Sequence, residues 1–141
     1  MATVRDLMKL KGDTQLVTIA PDKSVLEAVQ LMADKDIGSL IILDGKSFAG
    51  IVTERDYARK IIFERRSSSD TLVEEIMRKR VQCVGPDADI DVCGRIMVMD
   101  CIRYVPVVEG DCLLGLISIR DIARHAVSAR NSNQPAYSVH R

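Results

Sequence analysis

The sequence predicts an α/β fold made of two tandem β-α-β-β-α repeats packed with pseudo-twofold symmetry, and three observations predict it. The first is size and composition. With 141 residues, 47% hydrophobic and 28% charged, the chain has one domain's worth of globular sequence, without the signature of disorder or of a membrane span. The second is an internal repeat: shifted by 65 residues, 21–59 aligns without a gap on 86–124, with ten of 39 positions identical. These are Pro21/Pro86, Asp22/Asp87, Met32/Met97, Ile37/Ile102, Gly45/Gly110, Gly50/Gly115, Arg55/Arg120, Asp56/Asp121, Ala58/Ala123 and Arg59/Arg124. Only two copies at this long period favour a paired module over a solenoid. The third is that both copies carry the same order of strand and helix signals.

Each copy opens with a short β-branched stretch, Val17-Thr18-Ile19 or Val81 to Val84, stopped by a Pro-Asp turn at Pro21 or Pro86. A helix follows. In the first copy Ser24-Val25-Leu26-Glu27 reads as a capping box, with Val25, Ala28, Val29 and Met32 on one face. Asp89 caps its counterpart, in which Met97 and Met99 are expected in the core. Two strands around a tight turn come next: Leu40–Leu43, Asp44-Gly45 and Phe48–Val52, matched by Val105–Val108, Glu109-Gly110 and Leu113–Ile117. A closing helix runs from Glu54 to about Arg65 and from Ile119 to about Ser128. Val4-Arg5-Asp6-Leu7-Met8 and Val73-Glu74-Glu75-Ile76-Met77 echo each other as short leading helices. The expected division is therefore 1–66 for the first repeat with its leading helix, 67–128 for the second, and 129–141 for a flexible tail. One copy is too small to cover its own sheet, so the two sheets are expected to pack face to face.

Several function classes are disfavoured at this stage. Twenty Lys plus Arg balance twenty Asp plus Glu, so no overall field attracts a nucleic acid. Charges interrupt the N-terminus before any apolar core, so it does not read as a secretory signal, and a cytoplasmic location is expected. Cys83, Cys93, Cys101 and Cys112 match no disulfide or zinc template, and only His125 and His140 are available to complete a metal set or a nucleophile pair. No paired acid and base or Walker loop suggests an enzyme.

The most informative stretch is Gly50-Ile51-Val52-Thr53-Glu54-Arg55-Asp56, matched by Gly115-Leu116-Ile117-Ser118-Ile119-Arg120-Asp121. It puts a hydroxyl, an arginine and a carboxylate at a helix start. There the free amides favour an anion such as phosphate, Thr53 or Ser118 can donate to it, and Arg55 or Arg120 adds charge. Asp56 or Asp121 would oppose phosphate but could accept from ribose hydroxyls, so the set describes a nucleoside phosphate. The same residues are also capping boxes that need no ligand, although a cap does not require the repeated arginine. Arg78-Lys79-Arg80 and Arg59-Lys60 read as solvated faces.

With Gly-h-h-Thr/Ser-x-x-Asp (h apolar) closing each repeat, and Ile102-Arg103-Tyr104-Val105-Pro106-Val107-Val108 in the second, the chain resembles the CBS-domain pair, or Bateman module, over residues 4–128. The resemblance implies a regulatory module without chemistry of its own, binding AMP, ADP or ATP, or else NAD(H) or S-adenosylmethionine, in clefts between paired repeats. It implies that Asp56 and Asp121 hold ribose, that Thr53, Ser118, Arg55 and Arg120 hold the ribose-phosphate end, and that Arg103 holds a phosphate. Adenine would lie along Thr18, Ile19, Ser39, Leu40 and Ile41, or along Cys83, Val84, Tyr104, Val105 and Pro106. Because the first copy has Gly38-Ser39 where the second has Arg103-Tyr104, the cleft of Ser118, Arg120 and Asp121 is expected to be the better mononucleotide site. The cleft of Thr53, Arg55 and Asp56 is expected to be roomier. A homodimer with Val25, Val29 and Ile61 at its contact, signalling to a regulated partner protein, is the leading expectation. A ligand-independent dimeric scaffold is the alternative.

Overall fold

The computed structural model describes residues 2–12 and 16–129; beyond Ala129, the expected tail lies outside them. The elements are α1 (Val4–Lys11), β1 (Thr18–Ile19), α2 (Val25–Lys35), β2 (Ser39–Asp44), β3 (Ser47–Thr53) and α3 (Glu54–Tyr57), which runs on as a π-turn (Ala58–Ile62). They continue with α4 (Val73–Ile76), α5 (Ile90–Asp100), β4 (Tyr104–Glu109), β5 (Cys112–Ser118) and α6 (Ile119–Ala129). Helices start where a short polar side chain satisfies their first free amides. Thr3 Oγ1 accepts from Asp6 N at 3.3 Å, Ser24 Oγ from Glu27 N at 3.1 Å, and Asp89 Oδ1 from Asp91 N at 2.9 Å. Ser24 caps from one side only, since the reciprocal bond from Ser24 N to the Glu27 carboxylate does not form.

The strands form one sheet in the order β1-β2-β3-β5-β4. Beyond β4, Val84 makes a parallel bridge to Val107, the 65-residue image of the Ile19–Ile42 pair, so the two halves mirror each other. The strand expected over Val81 to Val84 shrinks to that bridge, and Pro106 is the reason. Val84 N donates to Pro106 O at 3.0 Å and Val108 N to Val84 O at 2.9 Å. The next rung would need an amide proton on Pro106 to reach Gln82 O, and proline has none.

The expectation of face-to-face sheets is not met. The halves join edge to edge through a single pair, Ser47↔Cys112, and each has its own apolar cluster. Each sheet is covered by its own copy's helix, α2 or α5, together with the leading helix of the other copy. Val4 and Leu7 of α1 are buried with Val84, Ile90, Cys93, Met97, Val105, Val107 and Ile117 in the second unit, where Val4 N and Arg5 N donate to Ala88 O and Pro86 O, each at 2.8 Å. In exchange, Val73 and Ile76 of α4 lie among Val25, Ala28, Met32, Leu40, Ile42, Val52 and Ile61, with Val73 N on Lys23 O at 2.8 Å. The leading helix at the start of the chain thus serves the second repeat.

Two further expectations change. Val25 and Ile61 are fully buried, so they are core and offer no surface to a dimer contact, while Val29 packs beside them half-buried. Met97 is in the core, whereas Met99 is 81% exposed. Ile90, Cys93 and Met97 follow one face of α5 at spacings of three and four, and Met99, two residues on, points to the opposite side.

Candidate functional site

Strand β3 enters the site through Gly50. A Cβ there would lie 2.5 Å from Arg78 O, because the chain after α4 runs directly against the strand: Ile51 N donates to Arg78 O at 3.1 Å and Arg78 N to Ile51 O at 2.8 Å. Gly115, its counterpart, makes room for Met8 of α1, whose Cε would stand 2.7 Å from a Cβ. Both glycines of the repeated stretch therefore receive the exchanged leading segments.

Three residues beyond Gly50, Thr53 and Asp56 close a reciprocal capping box on α3. Asp56 N donates to Thr53 Oγ1 at 3.1 Å, while Thr53 N and Oγ1 donate to Asp56 Oδ2 at 3.1 and 3.0 Å. The other carboxylate oxygen, Oδ1, accepts from Arg78 Nε at 3.1 Å and lies 3.9 Å from Lys60 Nζ. With only 2% of its surface exposed, Asp56 is buried and fully partnered. Ser118 and Asp121 repeat the box on α6, at 2.8 and 3.1 Å, and the cation there is Lys11, whose Nζ lies 2.9 Å from Asp121 Oδ2 and donates to Leu116 O at 2.8 Å. Burial alone would push the Asp121 carboxyl up. Hydrogen bonds from Ser118 and Lys11, together with the Lys11 charge, instead hold it below the usual carboxylate range. In both halves, then, the carboxylate assigned to ribose secures the exchanged segment of the other copy.

Beside Asp56, a cleft of about 490 Å³ opens between the two repeats. Thr53, Glu54, Arg55 and Gly38 line it from the first repeat, Cys101, Ile102, Arg103 and Tyr104 from the second, and Arg78 and Val81 from the connection. Three arginines and one acidic residue, Glu54, thus line the cleft, next to apolar wall from Ile51, Val81 and Ile102. Arg103, assigned by sequence to the cleft of Ser118, Arg120 and Asp121, stands instead with Thr53 and Arg55. The argument that ranked the second cleft above the first is thereby removed, and Gly38 faces Arg103 across one cavity because the two positions are related by the pseudo-twofold axis.

Of the other residues singled out by sequence, Thr18 and Ile19 form the edge strand, paired with Ile41 and Ile42. Ser39, Leu40, Ile41, Val84 and Pro106 are buried, Cys83 is half-buried with its thiol pushed up by burial, and Arg120 is exposed on α6. None of them lines this cleft. Sequence reasoning passed over Arg78, Val81 and Cys101. Arg78 sat in a charge run that looked solvated, and no local pattern announces that its partner is Asp56, 22 residues away.

The comparisons with known proteins agree with this architecture. The profile of the CBS domain matches the chain twice, over residues 4–62 and 73–128. The chain belongs to the CBS-domain family. It is 35% identical over 89% of its length to the CBS domain-containing protein CBSX3, mitochondrial, of Arabidopsis thaliana, and spans 65% of that relative. Against the CBS domain-containing protein YhcV of Bacillus subtilis it is 27% identical, covering 99% of this chain and 96% of that one. Among solved structures, a protein with CBS domains from Burkholderia ambifaria MC40-6 superposes with a TM-score of 0.85. The identity is 40%, over 97% of this chain and all of that one. The chain is thus a CBS pair. Among the described residues no helix is long and apolar enough to cross a membrane.

Proposed function

We propose that this CBS pair is a sensor of adenine nucleotides, taking AMP, ADP or ATP in the cleft between its repeats and passing the occupied state to a partner protein. The observation that carries the reading is the cleft's lining: it gathers Arg55, Arg78 and Arg103 from three separate parts of the chain, with Ile51, Val81, Ile102 and Tyr104 beside them. Guanidinium groups recognise phosphate through charge-assisted, often paired hydrogen bonds, and apolar wall with an aromatic ring suits a base. NAD(H) and S-adenosylmethionine share the adenosine end and belong in the same screen. Four free cysteines fit a reducing compartment such as the cytoplasm.

Thermal denaturation and calorimetry with AMP, ADP, ATP, NADH, S-adenosylmethionine and GMP test the reading. A ligand that binds only the folded state adds about 2.7 kcal/mol of stability at 100 times its Kd, so an adenosine ligand is expected to raise Tm and GMP to do much less. Arg55→Ala and Arg103→Ala should each abolish most of the rise. If no adenosine ligand acts at millimolar concentration, the reading fails.

One observation favours the second reading, a ligand-independent scaffold: the carboxylates of Asp56 and Asp121 are both already engaged as caps and ion-pair partners. Phe63 (85% exposed), Met99 and Val127 stand out from the helices as surface for self-association. Both readings include a homodimer, which light scattering at micromolar concentration tests; they part on the nucleotide effect.

A further inference from the structure

We propose that Arg78 is a latch shared between Asp56 and the cleft: it ties the chain after α4 to Asp56, and an anion entering the cleft draws its guanidinium away. The inference rests on the reading of the cleft as a nucleotide site and adds how occupancy is felt by the rest of the fold. Arg78 has two attachments. Its backbone is pinned to Ile51 by bonds of 3.1 and 2.8 Å, packed so closely on Gly50 that no Cβ fits between them, so the main chain is a fixed pivot. Its side chain, 37% exposed, holds Asp56 Oδ1 through Nε at 3.1 Å and also lines the cleft. A phosphate oxygen in the cleft therefore competes with Asp56 for the same cation.

Such a competition is costly if it strands a buried carboxylate, and here a second cation stands ready. Lys60 Nζ lies 3.9 Å from the same Asp56 oxygen and donates to Ile76 O, at the end of α4, at 2.8 Å. A movement of roughly 1 Å would bring it to the distance of a charge-assisted hydrogen bond. That movement loosens its hold on Ile76, so exchanging one cation for the other on Asp56 weakens two ties on the α4 segment. The second half has the docking contact but not the substitute: among the described residues Lys11 is the one cation paired with Asp121, and the position matching Lys60 is His125. The latch thus belongs to the cleft lined by Arg55 and Arg103, and it makes nucleotide binding and the docking of α4 two sides of one equilibrium.

Inorganic pyrophosphate is the probe, because it offers phosphate without ribose or base. In calorimetric titrations Asp56→Asn, which keeps an oxygen for the Thr53 cap but releases Arg78, is expected to bind pyrophosphate at least about tenfold more tightly than wild type, and Arg78→Gln at least about tenfold more weakly. If ATP binds the wild type but Asp56→Asn leaves pyrophosphate affinity unchanged or weaker, the latch is wrong and the nucleotide reading stands. If neither ATP nor pyrophosphate binds the wild type, both fall. Should Asp56→Asn not fold, the Arg78 Nε–H resonance of wild type, assigned by its loss in Arg78→Gln, decides the matter: the latch requires it to shift and exchange faster with water when pyrophosphate is added. An unmoved resonance at saturating pyrophosphate refutes it.

Discussion

Replacing either glycine of the repeated stretch by alanine should expose how differently the two halves receive their exchanged helices. Neither Gly50 nor Gly115 has a positive φ, so alanine meets no backbone strain and would by itself stabilise a strand slightly. What opposes it is space. At Gly50 the new Cβ sits 2.5 Å from Arg78 O, and relief requires the two chains to part by about 0.9 Å, which takes the 3.1 Å bond from Ile51 N beyond hydrogen-bonding range. Losing two backbone bonds at about 1 kcal/mol each, with further weakening of the Arg78 contact to buried Asp56, amounts to about 2–4 kcal/mol. For a chain of this size that is a fall in Tm of roughly 8–16 °C. At Gly115 the obstacle is the Cε of Met8 at 2.7 Å, the free end of a side chain with three rotatable bonds that can turn aside, so Gly115→Ala should change stability by less than about 1 kcal/mol. Thermal and urea denaturation of both variants is the assay. A Gly50→Ala protein melting within about 2 °C of wild type, or a Gly115→Ala loss of equal size, would refute the reasoning.

Other consequences are open to measurement. The Asp121 carboxyl is held low in the folded protein by Ser118 and Lys11, so its contribution is present above roughly pH 4, its unfolded range, and is lost as pH falls through the lower folded value. Lys11→Met should therefore flatten the decline of the urea midpoint between about pH 5 and pH 2, and an unaltered slope would contradict this assignment. Met97→Ala should cost about 2–5 kcal/mol, while Met99→Ala, on the exposed face of α5, should stay within about 0.5 kcal/mol in urea titrations. Pro106→Val returns an amide that can donate to Gln82 O; hydrogen exchange at position 106 should be slow, and rapid exchange there would show that proline is not what ends the ladder.

What could be read without coordinates was local or periodic. The 65-residue repeat is visible as identities at a fixed offset, and the strand-turn-strand units around Gly45 and Gly110 follow from tight turns between apolar runs. The cap residues Ser24 and Asp89 and the Thr53–Asp56 and Ser118–Asp121 boxes depend on residues within four positions of one another, where chain geometry leaves few alternatives. The family resemblance rested on these same stretches. The tertiary structure decided everything that joins distant positions: that α1 covers the second repeat and α4 the first, that Arg103 faces Thr53 and Arg55 instead of Ser118 and Arg120, that Arg78 leaves its charge run to hold Asp56, and that Met99 turns outward. Both leading helices have similar sequences, so periodicity alone cannot tell which core each one enters. The connecting chain decides that choice by where it can deliver them, and with it which arginines meet in the cleft.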